Sequence, residues 1–235
     1  MSYPNQVMAM FDTIILLSGQ VEQRALPLVL QGHHPGLTVI ALDTAAELAA
    51  LNNDVLERAR LITFVTPEIV PKRILDALGY GAFNFHPGPP TYPGWAPAHF
   101  ALYERAAEFG ATLHVMVEKV DAGPIVDVER FPVPADISVI GLEGHAYGHL
   151  ARLFWRWGKY LATDPAPPPT LPLQWGGRTY SKRAYRELCD IPPDIAKDEL
   201  DRRIRVFGGN HFGISPTIKL HGIEFRAVPP PGCAA

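Results

Sequence analysis

The stretch RLITFVTPEIVPKRILDALGYGAFNFH, residues 60–86, contains two short apolar runs separated by a segment with helical spacing. The two runs, residues 60–65 and 81–86, are typical of strands buried on both faces, which carry continuous apolar sequence. The segment between them, residues 67–78, is predicted to be a helix that ends before Gly79. A strand, a helix and a second strand in this order indicate a βαβ unit with parallel strands.

The same alternation extends toward the N-terminus. Residues 11–17 and 37–42 are two further apolar runs, residues 20–31 have helical spacing, and Thr44 can cap a helix over residues 45–51. We therefore predict an α/β protein with a Rossmann-like, mostly parallel sheet and helices on both faces. Ligands bind such sheets beyond the carboxyl ends of the strands, so the residues that follow the fourth strand are the first candidates for chemistry.

The rest of the chain is predicted to contain fewer parallel strands and more loops. After the fourth strand we expect a Pro/Gly-rich loop over 87–97, a helix over about 98–109, strands over 112–118 and 124–133, and a long helix over about 138–161. A proline-rich stretch is typical of a stiff linker. The predicted organisation is a large domain over 1–162, a linker over 163–175 and a small C-terminal subdomain over 176–235, with a helix over 195–207 and a β-hairpin over 217–228.

Composition is compatible with a folded core and excludes several classes of protein. The chain has 235 residues, of which 47% are hydrophobic and 19% charged. Its two cysteines are too few for a disulfide framework or a cysteine zinc site. It shows neither a signal peptide nor an apolar run of about 20 residues, so we expect a cytoplasmic protein with no membrane partner.

Charge is distributed unevenly along the chain. The net charge is −3, but residues 1–150 carry 8 basic and 16 acidic side chains, whereas residues 151–235 carry 13 basic and 8 acidic ones. A basic surface for a phosphorylated ligand explains this asymmetry, and so do two halves whose charges face solvent.

Three residues can together supply acyl-transfer chemistry. Asn84 and His86 have the same parity on one predicted strand, so both project to one face of the sheet. Asp121 follows in a tight Asp-Ala-Gly turn. An amide can donate to a developing oxyanion, an imidazole can move a proton, and a carboxylate can set the tautomer of the imidazole. Each residue alone is more often structural, because Asp is common in turns and Asn-x-His is a short motif.

Two longer segments resemble a known family. NFHPGPPTYPGWAPAHFAL, from residue 84, and GATLHVMVEKVDAGPIV, from residue 110, resemble the folate-dependent formyltransferases, which include glycinamide ribonucleotide, methionyl-tRNA and sugar N-formyltransferases. The resemblance is specific over about residues 67–133. It implies that Asn84, His86 and Asp121 catalyse attack of an acceptor amine on the formyl carbon of 10-formyltetrahydrofolate. It also implies a pterin site along Ile69, Val70, Pro71, Asp121, Ala122 and Gly123, and no metal.

The acceptor is predicted from departures within this resemblance. The family usually has Ser where this chain has Gly88, and Arg where it has Pro93, which leaves the recognition loop unusual. The glycine-rich phosphate loop expected of a glycinamide ribonucleotide enzyme is missing. The segment from Trp175 resembles sugar N-formyltransferases. The residues predicted to bind the substrate are Gly88, Tyr92, Trp95, Arg178, Lys182 and Arg183, although the three basic ones can also form a solvated charged surface.

We therefore predict an N-formyltransferase whose acceptor is a small amine, with a nucleotide-linked amino sugar favoured and nucleic acid not favoured. One alternative is a methionyl-tRNA formyltransferase-like enzyme with a reduced tail, and another is a non-catalytic folate-binding or regulatory relative. An aromatic group on the long helix makes a homodimer plausible. His114, on the predicted strand over 112–118, is interpreted mainly as a packing residue.

Overall fold

A six-stranded sheet organises the computed structural model, which describes residues 10–209 and 212–227. Its strands lie in the order β2-β1-β3-β4-β5-β6, where β1 is Thr13–Ser18, β2 Thr38–Leu42, β3 Ala59–Phe64, β4 Ala82–His86, β5 Glu108–Val115 and β6 Ile125–Pro132. The pairs β1–β2, β1–β3 and β3–β4 are parallel, and β4–β5 is antiparallel. The predicted α/β class with a mostly parallel sheet is confirmed.

Nine helices are described around and after these strands. They are α1 (Gln20–Gln23), α2 (Leu26–His33), α3 (Ala45–Ala49), α4 (Asn53–Leu56), α5 (Lys72–Ala77), α6 (Pro97–Tyr103), α7 (Val139–Thr163), α8 (Lys182–Cys189) and α9 (Lys197–Phe207). Thr44 caps α3 as predicted, and Glu47 completes a capping box by accepting from the Thr44 N–H. Within the described part of the chain, none of the helices is both long enough and apolar enough to cross a membrane.

Three predicted helices differ from the structure. The helix expected over 98–109 ends at Tyr103, because Arg105 has a left-handed backbone (φ 57°) and the chain then enters β5 at Glu108. The helix expected over 20–31 is split into α1 and α2, with Pro27 in the first turn of α2. The helix expected over 67–78 begins only at Lys72.

The chain divides into two compact units that are interleaved in sequence. Among the described residues, the first unit comprises 10–86, 112–128 and 150–174, and the second comprises 87–111, 129–149 and the described part of 175–227. Residues after 175 therefore group with two earlier segments. The domain boundaries expected at 162 and 175 stay a prediction, because compactness alone does not establish which segments fold independently.

In the first unit, Arg60 on β3 joins the sheet to the proline-rich segment. Its side chain is fully buried and donates hydrogen bonds to five backbone carbonyls: Tyr80 (3.2 Å), Leu161 (2.7 Å), Asp164 (2.9 Å), Pro165 (3.3 Å) and Ala166 (3.0 Å). The guanidinium also lies over the Phe11 ring at 4.9 Å. Burial lowers the Arg60 pKa to about 10, so the group remains charged at neutral pH. The segment expected to be a stiff linker thus has its first residues hydrogen-bonded to Arg60 of the sheet.

Also in the first unit, Asp127 ties β6 to α7. Its carboxylate accepts hydrogen bonds from Trp157 Nε1 (2.8 Å), Arg156 Nη1 (2.7 Å) and the Val128 N–H (2.8 Å). Burial opposes ionisation, but these three donors outweigh it and lower the Asp127 pKa.

The second unit has an aromatic core and a small sheet. Tyr185 packs edge-on against Phe207 (4.8 Å) and Trp95 (4.9 Å), which brings α8, α9 and the loop before α6 together. The small sheet has the order β7-β8-β9, with β7 Asp190–Ile191, β8 Thr217–Leu220 and β9 Ile223–Arg226. Strands β8 and β9 form the predicted hairpin; β9 ends at Arg226, and Val228, the last residue of the prediction, lies outside the described residues.

Candidate active site

A row of polar side chains crosses three adjacent strands of the first unit. Thr63 on β3 is the register partner of Asn84 on β4, and Asn84 is the register partner of His114 on β5. Register partners project to the same face of a sheet, so these three side chains lie side by side. Most other buried residues of these strands are aliphatic or aromatic, and the buried polar exceptions are Arg60, His86 and Thr112.

Asp121 reaches this row from the turn that connects β5 to β6. Its backbone is left-handed (φ 44°), and the turn lies tightly against β5. A Cβ at Gly123 would lie 1.9 Å from the Val115 carbonyl oxygen, so only glycine fits there. The Asp-Ala-Gly sequence therefore has a steric basis, and it sets where the carboxylate lies.

The carboxylate of Asp121 lies between two imidazoles. Its Oδ2 is 3.3 Å from His86 Nδ1, and its Oδ1 is 3.1 Å from His114 Nε2. Asn84 Nδ2 donates to the same Oδ1 at 3.4 Å. The structure thus brings together Asn84, His86 and Asp121, the three residues predicted to be catalytic, and adds His114 to them.

The hydrogen-bond pattern constrains the protons of this cluster. His114 Nδ1 is 2.9 Å from the Val115 carbonyl oxygen, which can only accept, so Nδ1 carries a proton. His114 Nε2 and Asp121 Oδ1 would both be acceptors if the imidazole were neutral and the carboxylate charged. The Asn84 amide supplies a donor for this pair, because its Nδ2 lies 3.1 Å from His114 Nε2 and 3.4 Å from Asp121 Oδ1.

The side chains of the cluster differ in their exposure to solvent. His86, His114 and Asp121 are buried, with side chains 3–5% exposed, whereas Asn84 is half-buried. The amide is therefore the most accessible member, as a group that contacts a ligand has to be. A buried carboxylate and imidazole pair in low dielectric interacts more strongly than the same pair in water.

The residues predicted to hold the pterin differ in whether their side chains are exposed. Ile69 is exposed by 62%, whereas the Val70 side chain is buried in the core of the first unit, which leaves only its backbone for a ligand. Pro71 is the N-cap of α5, and Gly123 is buried in the turn. Val65, Val117 and Val120 are also exposed apolar residues, and they lie within three positions of Thr63, His114 or Asp121 in the chain. A flat aromatic group suits such apolar surface.

The predicted substrate-binding residues all belong to the second unit. Tyr92 is buried beside Tyr180, at a ring distance of 5.4 Å, and its pKa is raised to about 12 by burial and then by Glu104. Gly88 is buried and Trp95 is half-buried. Tyr92 therefore stays protonated, and its role toward a substrate stays a prediction.

The three predicted phosphate-binding cations have different surroundings. Arg178 lies 3.6 Å from Glu104, and Arg183 lies 2.8 Å from Glu187, so a carboxylate neutralises each. Lys182 is exposed, and its ammonium lies 5.9 Å from the centre of the Trp95 ring. Of the three, Lys182 is the one best suited to meet an anionic ligand.

Two residues of the polar row were not predicted as functional from the sequence. His114 was interpreted mainly as packing, although its parity on the strand TLHVMVE is the signal that places it toward the site. Thr63 is one polar residue in the apolar run over 60–65, and nothing in that run indicates its partner. Among the described residues, no group of three or more His, Cys, Asp or Glu side chains is arranged so that it could hold a metal ion, and the expectation that no metal is needed stays a prediction.

Comparison with known proteins finds similarity over the central part of the chain. Residues 42–145 match the family model described as formyl transferase. The methionyl-tRNA formyltransferase of Listeria innocua is 35% identical over 154 residues, which is 65% of this chain and 45% of that protein. The chain thus spans less than half the length of this curated relative.

Solved structures share the fold over nearly the whole chain. A sugar N-formyltransferase from Shewanella has a TM-score of 0.75 at 15% identity, covering 93% of this chain and 97% of that one. An N-formyltransferase from Helicobacter canadensis, solved with folinic acid and dTDP-3-aminofucose, has a TM-score of 0.64 at 16% identity, covering 91% of this chain and 85% of that one.

Proposed function

We propose that the chain transfers a formyl group from 10-formyltetrahydrofolate to an amine of a small acceptor, because residues 42–145 match the formyl transferase family model and 154 residues are 35% identical to a methionyl-tRNA formyltransferase. The observation that carries the proposal is the cluster in which Asp121 lies between His86 and His114, beside the half-buried amide of Asn84. These are the groups that acyl transfer to an amine requires: a hydrogen-bond donor for the developing oxyanion and a held imidazole for the proton.

Asn84 supplies the oxyanion donor in this proposal. Its Nδ2 carries two hydrogens and lies 3.1 Å from His114 Nε2 and 3.4 Å from Asp121 Oδ1, two atoms that are themselves 3.1 Å apart and can share one of those hydrogens. We assign the other to the formyl oxygen, on which negative charge develops as the amine attacks. Removing one such donor typically costs about 10²–10³-fold in turnover.

In this proposal, His86 moves the proton, and Asp121 holds the imidazole of His86 in place. Because His86 Nδ1 contacts Asp121 Oδ2, we assign Nε2 to the proton that leaves the attacking amine. His114 holds the carboxylate through its other oxygen, so the plane of Asp121 is fixed from both sides. The orientation of the general base then follows from the fold rather than from the substrate.

The residues present fit a folate donor. When bound, 10-formyltetrahydrofolate supplies the activated formyl group. We assign the pterin ring to exposed apolar side chains that lie near the cluster in the chain, those of Ile69, Val65, Val117 and Val120, and the part taken by the backbone of Asp121, Ala122 and Gly123 stays a prediction. The Helicobacter canadensis enzyme was crystallised with folinic acid, a formylated folate, which supports this donor class.

A nucleotide-linked amino sugar is the acceptor we favour. The Helicobacter canadensis enzyme was solved with dTDP-3-aminofucose, and its chain and ours cover each other almost fully. Lys182 beside Trp95 offers a cation and an aromatic face, the two features that recognise a phosphate next to a base.

The test compares activity across acceptors and variants. The purified chain is incubated with 10-formyltetrahydrofolate and a panel of nucleotide-linked amino sugars, and the N-formyl product is identified by mass spectrometry. His86→Ala should lower turnover by about 10²-fold or more, as loss of a general base does. His145→Ala, an exposed histidine on α7, is the matched control and should retain wild-type turnover. Full activity of His86→Ala would refute the assignment.

Methionyl-tRNA is the second candidate acceptor, because the curated relatives at 34–35% identity are methionyl-tRNA formyltransferases. Formylation of charged initiator tRNA, with binding that weakens steeply as salt rises, would favour it over an amino sugar. A non-catalytic relative remains the third hypothesis, and it is supported if a stable folate analogue shows no heat of binding. The predicted homodimer and cytoplasmic location stay predictions, and light scattering of the purified chain tests the first.

A further inference from the structure

We propose that Thr63 is a positioning residue for the reaction, because its hydroxyl fixes the orientation of the Asn84 amide. This inference rests on the proposed function for its kinetic consequence, but its structural part stands on the contacts of Thr63 alone. Thr63 is 1% exposed, and its Oγ1 lies 2.6 Å from Asn84 Oδ1, which is a short hydrogen bond between neutral groups.

The amide can lie in only one of its two orientations. Asp121 Oδ1 lies 3.4 Å from the Asn84 amide and offers a lone pair, so the amide atom that faces it has to be the donor Nδ2. A flipped amide would place its oxygen against the carboxylate oxygen and its nitrogen against Thr63. The carboxylate therefore defines which end of the amide faces the site.

The other end of the amide then depends on Thr63. With Nδ2 directed at Asp121, Asn84 Oδ1 faces β3, and Thr63 Oγ1 donates to it. The hydroxyl has one hydrogen, and the second acceptor within range, Met116 Sδ at 3.5 Å, is a weaker one. The amide is thus held by a donor at its oxygen and an acceptor at its nitrogen, so both of its hydrogens have defined directions.

The register between β3 and β4 explains why Thr63 is the residue that contacts the Asn84 amide. Thr63 and Asn84 are register partners on parallel strands, so their side chains are neighbours without any adjustment of the backbone. Threonine is also stiff at χ1, which makes its hydroxyl a rigid support. Without the hydroxyl, the amide oxygen would lose its donor from β3, so only the contacts of Nδ2 with Asp121 and His114 would hold the amide, and its hydrogens would be less well directed.

The test separates the hydroxyl from the shape of the side chain. Thr63→Val removes the hydroxyl at almost constant volume, and Thr63→Ser restores it. We expect Thr63→Val to lower kcat by roughly 10- to 100-fold, less than complete loss of an oxyanion donor. KM for the acceptor should stay within about twofold, because an interaction made mainly in the transition state affects kcat. Thr63→Ser should recover kcat to within about threefold of wild type.

Thr13→Val is the matched control. Thr13 is a buried threonine whose Oγ1 donates to Asp12 Oδ1, also at 2.6 Å. It is the first residue of β1, whereas Thr63 lies near the carboxyl end of β3. Thr13→Val should lose stability as Thr63→Val does and keep wild-type kcat. If Thr63→Val does not fold, Thr63→Ala and Thr63→Ser form the comparison pair, since they differ only in the hydroxyl.

A second measurement keeps this inference distinct from the proposed function. The side-chain amide resonances of Asn84, identified by their loss in Asn84→Ala, should shift or broaden in Thr63→Val and return in Thr63→Ser. An active wild type with unchanged kcat in Thr63→Val would overturn the inference and leave the proposed function standing. If the wild type is inactive with every acceptor, the proposed function fails, and unchanged Asn84 resonances in Thr63→Val would separately overturn the inference.

Discussion

Replacing Arg60 by methionine should destabilise the chain strongly. Methionine keeps a linear apolar stem between the neighbouring rings but removes the donors to five carbonyls. The Leu161 carbonyl is in a buried contact and is left without its charged donor, which costs about 1–3 kcal/mol. The other four contacts are partly buried, and water can replace part of each, so we expect a total loss of about 3–5 kcal/mol.

Thermal and urea unfolding, followed by circular dichroism, measure this loss. For a chain of this size, about 3–5 kcal/mol corresponds to a decrease in Tm of roughly 10 °C. Arg58→Met is the control, because Arg58 is exposed and forms an ion pair with Asp12 at 2.8 Å. Such a pair contributes about 1 kcal/mol or less. A Tm for Arg60→Met equal to that of Arg58→Met would refute the view that Arg60 holds the proline-rich segment.

Three further predictions concern the site and its supporting strand. Asp121→Asn should lower kcat by on the order of 10²-fold or more, because the amide has no charge and only one oxygen to present to the two imidazoles, and a wild-type kcat would contradict the pairing. Gly123→Ala should destabilise the chain by about 1–3 kcal/mol in urea unfolding, since its Cβ would overlap the turn, whereas Gly177→Ala, which has open space, should be near neutral. Asp127→Asn should cost stability at pH 7, and this difference from wild type should disappear as pH falls. The folded pKa of Asp127 is depressed, so its contribution is present above the unfolded value of about 3.9 and is lost as pH decreases through the folded value. A difference that persists at pH 2 would exclude an ionic origin.

Sequence patterns predicted the sheet well where strands are fully buried. The runs over 60–65 and 81–86 correspond to β3 and β4 within one residue. A short run that is apolar on both faces is typical of a strand in a sheet that helices cover on both sides. The prediction was wrong for the helix over 98–109. The segment from Glu108 pairs with neighbouring strands, and tertiary pairing of this kind overrides local propensity.

The site was predictable in part for a similar reason. Parity alone places Asn84 and His86 on one face, and the Asp-Ala-Gly turn indicated where a carboxylate could approach. The contribution of Thr63 could not be predicted, because it depends on the register between β3 and β4, which no local pattern encodes. The partner of Arg178 could not be predicted either, because Glu104 is distant in sequence, whereas Arg183 and Glu187 have the i, i+4 spacing of a helical pair.

The interleaving of the two units has a practical consequence for anyone who shortens this protein. A version that stops at residue 174 would still contain Phe100 on α6 but would lack Tyr180, whose ring centre lies 4.4 Å from it, and Phe207 at 6.4 Å. The remaining half of that aromatic core would be open to water, and apolar surface of this kind promotes aggregation. Minimal versions for crystallisation or directed evolution should therefore be trimmed at loops and retain the segment after residue 175.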